Sequence, residues 1–175
     1  MSEIPLRVDK SGGNIAADFK AGLSTKEKHK TIQNMKLENF NFSLPIQIRW
    51  SDLDPLGHVN NAVYVTYFEI VRGHFMLHAC PGWDWHKDMF LIANVTANFH
   101  KELLLTATET AVSIKTSKIG NKSFVLDYAV TSKKGEDVLV HATGHTTQIM
   151  FDMKTRSTIK LPDWVRQSLA AFDGL

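Results

Sequence analysis

The sequence holds a single cysteine, Cys80, in 175 residues. That excludes an intramolecular disulfide framework and leaves no second thiol for a zinc ribbon or a Cys-x-x-Cys redox motif. No run approaches the roughly 18 to 20 consecutive apolar residues of a membrane-spanning helix. The opening MSEIPLRVDKSGG carries acids where a signal peptide would have its apolar segment. A cytoplasmic protein with no membrane partner is the expectation. Charge of one sign is scarce, with 20 Lys and Arg against 18 Asp and Glu, too balanced for a nucleic-acid-binding surface. There is no Gly-rich phosphate loop and no serine elbow. His74 with His78 and His141 with His145 are four residues apart, but neither pair has a carboxylate or cysteine at useful spacing, so no metal site is expected from them.

What is present suits one globular domain with a short extension: 43% hydrophobic and 22% charged residues. Residues 1–40 are polar and lack a period. They include Lys26, Lys28 and Lys30 and read as an N-terminal extension ahead of a domain over 41–175. From Phe42, Leu44, Ile46 and Ile48 alternate with Pro45, Gln47 and Arg49, the period of a half-buried strand. The run SDLDPLGHVNN must be a loop, and Asn60 or Asn61 suits the N-cap of a helix over 62–79. That helix is too apolar for only one stripe to be covered.

Four strands follow. Leu91, Ala93, Val95, Ala97 and Phe99 share one face of the first, and the second runs from Leu104 to Lys115. SKIGNK turns into a third with Phe124, Leu126, Tyr128 and Val130 inward, and KKGED turns into a closing strand from Val138 to Phe151. A short C-terminal helix follows Pro162. The pattern predicts an α+β fold: an antiparallel five-stranded sheet wrapped around one long central helix. Sheet edges left open favour association between copies.

The chemistry concentrates in DLDPLGHVNNAVYVTYFE, residues 52–69. Attack on a thioester needs a base or nucleophile beside the carbonyl, donors for its oxygen, a dry acyl slot and a water. Asp54 precedes Pro55, which stiffens its backbone. Gly57 permits close approach of main chain, and the helix start supplies N–H groups for an oxyanion. His58 and Asn61 are placed to orient water or donate to the thioester, and Tyr64, Tyr67 and Phe68 to line an acyl slot. On residue types alone, Asp-Pro-x-Gly is equally ordinary turn chemistry and Asn an ordinary cap. Glu69 and Arg72, three apart, predict an ion pair, and His78 reads as partly buried.

The same stretch resembles the signature of the hotdog superfamily, near 4-hydroxybenzoyl-CoA thioesterase and related short acyl-CoA thioesterases, where an Asp followed by Pro-x-Gly, then a Tyr and a helix ending Phe-Glu, stands at this point. GHVNN, which includes Val59, is similar to a stretch of acyl-ACP thioesterases. The resemblance covers residues 42–152. It implies a homodimeric or homotetrameric hotdog fold without metal or cofactor, with active sites at the subunit interface. The family's catalytic carboxylate falls on Asp54, as general base or as nucleophile, and Asp52 becomes a supporting or solvated carboxylate. A departure sits at HKELLL, where Leu103 and Leu104 replace a usual Gly-Asp pair. Lys101, Lys115, Lys118 and Lys122 are the candidates for coenzyme A phosphates, beside their plain role as turn lysines. The expected function is acyl-CoA hydrolysis to a carboxylic acid and free CoA. Acyl-ACP hydrolysis is the alternative within the enzyme class, and a non-catalytic hotdog module for acyl binding or assembly is the alternative outside it.

Overall fold

The computed structural model describes residues 37–175. The extension expected over 1–40 lies outside the described residues, apart from a 3-10 turn at Leu37–Asn39 and the residue after it. Strand β1 (Phe42–Pro45) leads through a second 3-10 turn, Trp50–Asp52, into helix α1 (Asn61–Ala79). Strands β2 (Phe90–Phe99), β3 (Thr108–Ile119), β4 (Ser123–Lys134) and β5 (Asp137–Asp152) follow, then the two-residue β6 (Ser157–Thr158) and helix α2 (Asp163–Asp173). The strands form one sheet in the order β1-β3-β4-β5-β2, with β6 on β5. Neighbours on this path are antiparallel, as the α+β expectation required.

Helix α1 starts because the Asn60 side chain accepts a hydrogen bond from the Ala62 N–H at 2.9 Å. It ends where the Cys80 N–H closes on the Met76 carbonyl, with Pro81 next. Tyr64, Tyr67, Phe68, Val71 and Phe75, which share one side of the helix, are buried. Each such burial contributes about 1.5–3 kcal/mol. That stripe, rather than the intrinsic propensity of a β-branched segment, holds α1 in place. Its opposite side, with Val65, Ile70 and Leu77, is exposed, so no described element covers that part of the apolar helix.

The inner face of the sheet meets α1 through Val112 opposite Val130, Ile114 opposite Tyr128 and Thr116 opposite Leu126, all buried. The Phe68 ring stacks on Tyr128 with centroids 4.4 Å apart. Beside them Gly144 leaves room for Phe68: a Cβ there would lie 2.7 Å from the Phe68 ring and against the Thr96 carbonyl of the neighbouring strand. Helix α2 closes one end of the core with Val165 and Leu169 buried and Phe172 edge-on to Phe75, centroids 5.6 Å apart.

Three expectations are corrected. The β2–β5 register slips at Ala93. This bulge puts Leu91, opposite Ile149, on the other face from Val95, Ala97 and Phe99, rather than all on one. β3 begins at Thr108 and not at Leu104, because the Leu104 backbone pairs with His58 instead. β1 stops at Pro45, although the Ile46 N–H still reaches the Thr110 carbonyl at 2.9 Å.

Gly144→Ala is expected to destabilise the protein by about 1–3 kcal/mol, because the neighbouring backbone cannot yield as a side chain would. Denaturant unfolding monitored by tryptophan fluorescence measures it; an unchanged midpoint would refute this account of the position.

Candidate active site

The two carboxylates of the motif have opposite environments. Asp52 is 2% exposed. Its Oδ2 accepts from the Arg49 backbone N–H at 2.9 Å and the Tyr67 hydroxyl at 2.8 Å, and its Oδ1 lies 2.9 Å from the Arg49 guanidinium. Burial alone would raise its pKa, but the hydrogen bonds from Arg49 and Tyr67 outweigh that and hold it below the ordinary carboxylate value. Asp52 is thus a supporting residue with no free oxygen to offer a substrate.

Asp54 is half-buried on the loop surface. Residues 54–57 form a β-turn closed by the Gly57 N–H on the Asp54 carbonyl at 2.9 Å. Pro55 takes the second position and Gly57 the fourth, with φ of 78°. The Asp54 N–H donates to the His58 carbonyl at 2.8 Å, and below it the Asn60 N–H donates to the Asp52 carbonyl at 2.8 Å. Oδ1 of Asp54 accepts from Leu56 N–H at 2.9 Å and, at 3.4 Å, from His58 N–H. Among the described residues Oδ2 has no hydrogen-bond partner. One oxygen is anchored by the loop's own backbone and the other is open.

The outer side of this loop is held by residues 100–104, a strap between β2 and β3. The Val59 N–H donates to the Leu103 carbonyl at 2.9 Å, and His58 pairs with Leu104. Leu103, where a departure stood in the sequence, is fully buried beneath the loop. Asn61 is exposed as the first residue of α1. Asn60 takes the capping role, so the Ala62 N–H is spent on the cap and the Val63 N–H on the Asn60 carbonyl. That leaves the Asn61 N–H at the helix start. Val59, Tyr64, Tyr67 and Phe68 are all interior, with Tyr67 committed to Asp52 and Phe68 to Tyr128.

The family model of the thioesterase-like superfamily matches residues 48–169. The chain belongs to the thioesterase-like superfamily. Thioester hydrolysis is therefore its reaction class, and its architecture is the hotdog fold. It is 26% identical over 127 residues to the long-chain acyl-CoA thioesterase FadM of Escherichia coli K12, covering 71% of this chain and 93% of FadM. A Thermus thermophilus thioesterase solved with coenzyme A and Zn is 27% identical, with a TM-score of 0.68 over 79% of this chain and 98% of that one. A 4-hydroxybenzoyl-CoA thioesterase mutant complexed with 4-hydroxybenzoyl-CoA is 16% identical, with a TM-score of 0.64 over 73% and 97% of the two chains.

In this thioesterase-like chain the lysines separate. Lys101 lies on the strap beside the loop. Lys115, Lys118 and Lys122 lie toward the other end of the sheet, where Ile119 faces Phe124. The Lys115 ammonium sits over the Phe40 ring at 5.1 Å, and Lys122 donates to Thr158. The predicted Glu69–Arg72 ion pair does not form; Arg72 instead reaches the buried Tyr128 hydroxyl at 3.4 Å, a core polar partner that helical spacing could not reveal. His78 is exposed rather than partly buried, although its ring lies against Phe42 and Phe172. Cys80 is fully buried, and burial pushes its thiol up to about 12, which removes it as a nucleophile. Among the described residues no three His, Cys, Asp or Glu side chains gather to hold a metal. No described helix is long and apolar enough to cross a membrane.

Two grooves adjoin α1 and the strap. One of about 650 Å³ lies between α1 and β2, lined by Ile70, Arg72, Leu77, Trp85, Phe90 and Ile92 among others. The other, of about 530 Å³, lies along the strap between Lys101, Leu104, Lys134 and His141. Neither is lined by Asp54.

Asp52→Asn is expected to cost about 1–3 kcal/mol at pH 7, since Arg49 loses its charge partner and a buried amide donor faces other donors. Because the folded value of Asp52 lies below the ordinary 3.8, the unfolded chain binds its proton first. The stabilisation is present above that value and is lost as pH falls through the folded one. Thermal melts of both proteins from pH 7 down to about 2 should therefore keep a constant gap until the pH falls to the ordinary 3.8 and narrow below it; a gap that never narrows would refute the assignment.

Proposed function

We propose that the protein is an acyl-CoA thioesterase in which Asp54 is the catalytic carboxylate. The observation that carries this is the division between the two acids: Asp52 is consumed by Arg49 and Tyr67, whereas Asp54 keeps an oxygen without a partner among the described residues. It does so on a loop running directly into the N-terminus of α1. Asp54 takes a proton from water as the water attacks the thioester carbonyl, or attacks it directly to give an acyl anhydride that water then opens. Either way the C–S bond breaks and the carrier thiol leaves. The Asn61 N–H and the positive end of α1 meet the oxyanion. His58 and the Asn61 side chain orient the water. Gly57 gives the thioester close access to the backbone, and Val59, Tyr64, Tyr67 and Phe68 form the apolar wall behind the loop. Lys101 on the strap answers the carrier's phosphates. The likeness to FadM and to the coenzyme A-bound Thermus protein supports coenzyme A as that carrier. The lone, buried cysteine suits a cytoplasmic enzyme.

Asp54 stands on an open loop, and hydrolysis directed by a carboxylate gains most in a site closed to bulk water. A second copy of the chain is the cover we propose. Among the described residues strand β2 ends the sheet with a ten-residue edge that pairs with no further strand. It exposes Leu91, Ile92, Val95 and Phe99 beside the uncovered Val65, Ile70 and Leu77 of α1. An apolar edge of that length is a pairing surface unless something covers it.

Asp54→Asn is expected to lower kcat/KM by roughly 10²- to 10⁴-fold without lowering the melting temperature. A thiol reagent reads CoA release across an acyl-chain panel, with matched acyl-ACP substrates alongside. Release from neither carrier, or no loss in Asp54→Asn, would overturn the proposal, and faster release from acyl-ACP would assign that carrier.

Sedimentation of the wild type as a dimer or tetramer, and of Val95→Lys as a monomer, is the expected assembly result. A monomeric wild type would reject the second copy.

A further inference from the structure

We infer that His141 is a positioning residue for the hydrolysis, a clamp on the 100–104 strap that holds the Asp54 loop in its working shape. The inference rests on the Asp54 reading for its catalytic consequence, and on hydrogen-bond geometry for the clamp itself.

The register between β4 and β5 sets Val130 opposite Ala142 but Thr131 opposite Val140, so His141 is an extra residue with no cross-strand partner. Bulges of this kind turn a side chain and a carbonyl away from the ladder. At His141 both are used. Its backbone carbonyl accepts from the His100 N–H at 2.8 Å and the Lys101 N–H at 3.2 Å. Its ring is 3% exposed, with Nδ1 2.8 Å from the Glu102 carbonyl and Nε2 2.7 Å from the Ser132 hydroxyl. A carbonyl only accepts, so Nδ1 carries the proton, and Nε2 is left to accept from Ser132. Burial lowers the imidazole pKa and keeps this neutral form in place at pH 7. One bulged residue thereby grips three consecutive strap residues, His100, Lys101 and Glu102.

The strap passes the constraint on. Leu103 is fully buried and its carbonyl receives the Val59 N–H, while Leu104 pairs with His58. The His58 carbonyl receives the Asp54 N–H, and its own N–H reaches Asp54 Oδ1. From the Ser132 hydroxyl to the Asp54 carboxylate the path consists of hydrogen bonds and single residues, and strand β4 anchors its far end. A loop with a displaced carboxylate still folds but aligns the attack poorly, which is a loss in kcat more than in binding.

The ring separates the two contacts by substitution. His141→Asn places an amide near the Nδ1 position and keeps a donor for Glu102; His141→Gln reaches toward Ser132 and loses that donor; His141→Leu loses both. We expect kcat on acyl-CoA to fall roughly 10- to 100-fold in His141→Leu and His141→Gln, with KM little changed, and to be largely retained in His141→Asn. Hydrogen exchange gives a second readout: the Val59 amide should lose protection in the Leu and Gln variants but not in Asn, with the amides of β3 and β4 unaffected.

Equal kcat and equal Val59 protection in all variants would overturn the clamp, as would loss of protection spread evenly over the sheet, which marks a purely structural role. If His141→Leu fails to fold, the Asn and Gln pair decides. If the wild type cleaves no thioester, the Asp54 reading falls, while Val59 exchange still decides whether His141 holds the loop.

Discussion

The Asp52 carboxylate lies beneath the surface with the Arg49 backbone and guanidinium on one side and the Tyr67 hydroxyl on the other. Removing a charged group from water is costly unless its lone pairs are met, so these partners have little freedom to move. Arg49 belongs to the end of the first strand region and Tyr67 to the second turn of α1. The carboxylate therefore fixes the angle at which the chain leaves the sheet and enters the helix. Every later feature of the site is built on that corner: the turn at Asp54, the cap at Asn60 and the first free N–H of α1.

A surface loop of nine or so residues would ordinarily sample many shapes. Here it is pinned at its base by Asp52 and Asn60, across its middle by Asp54 and His58, and on its outer side by Leu103 and Leu104. Residues far apart in sequence thus share one end of the sheet, where the β2–β3 strap and the β4–β5 hairpin meet the loop. The proposed catalytic group stands on irregular chain, but regular structure holds it from three directions, which is how a carboxylate keeps its aim without being buried.

Much of the scaffold was legible because its signals are local. Alternation over Phe124–Val130 reports a buried face directly, and an Asn ahead of residues at helical spacing marks α1 to within one residue. The division of labour between Asp52 and Asp54 was partly legible through Pro55, which acts on its immediate neighbour. The failures share a cause. The bulge at Ala93 depends on what β5 offers across the ladder, Arg72 turned from Glu69 to Tyr128, a partner 56 residues on, and Leu104 left its strand to pair with His58. Each is a competition between a near partner and a distant one, and sequence spacing records only the near one.

The chain's order of elements, the buried faces of its helix and strands, and the turn that presents Asp54 follow from steric and hydrophobic patterns that act within a few residues. Their common basis is that backbone dihedrals and side-chain periodicity are set locally. The tertiary structure decided which acid keeps an oxygen without a partner among the described residues, which lysine lies by the loop, and that a histidine on a distant strand grips the strap behind it. Those outcomes depend on desolvation and on hydrogen bonds between segments brought together only by the folded sheet, and no local pattern encodes them.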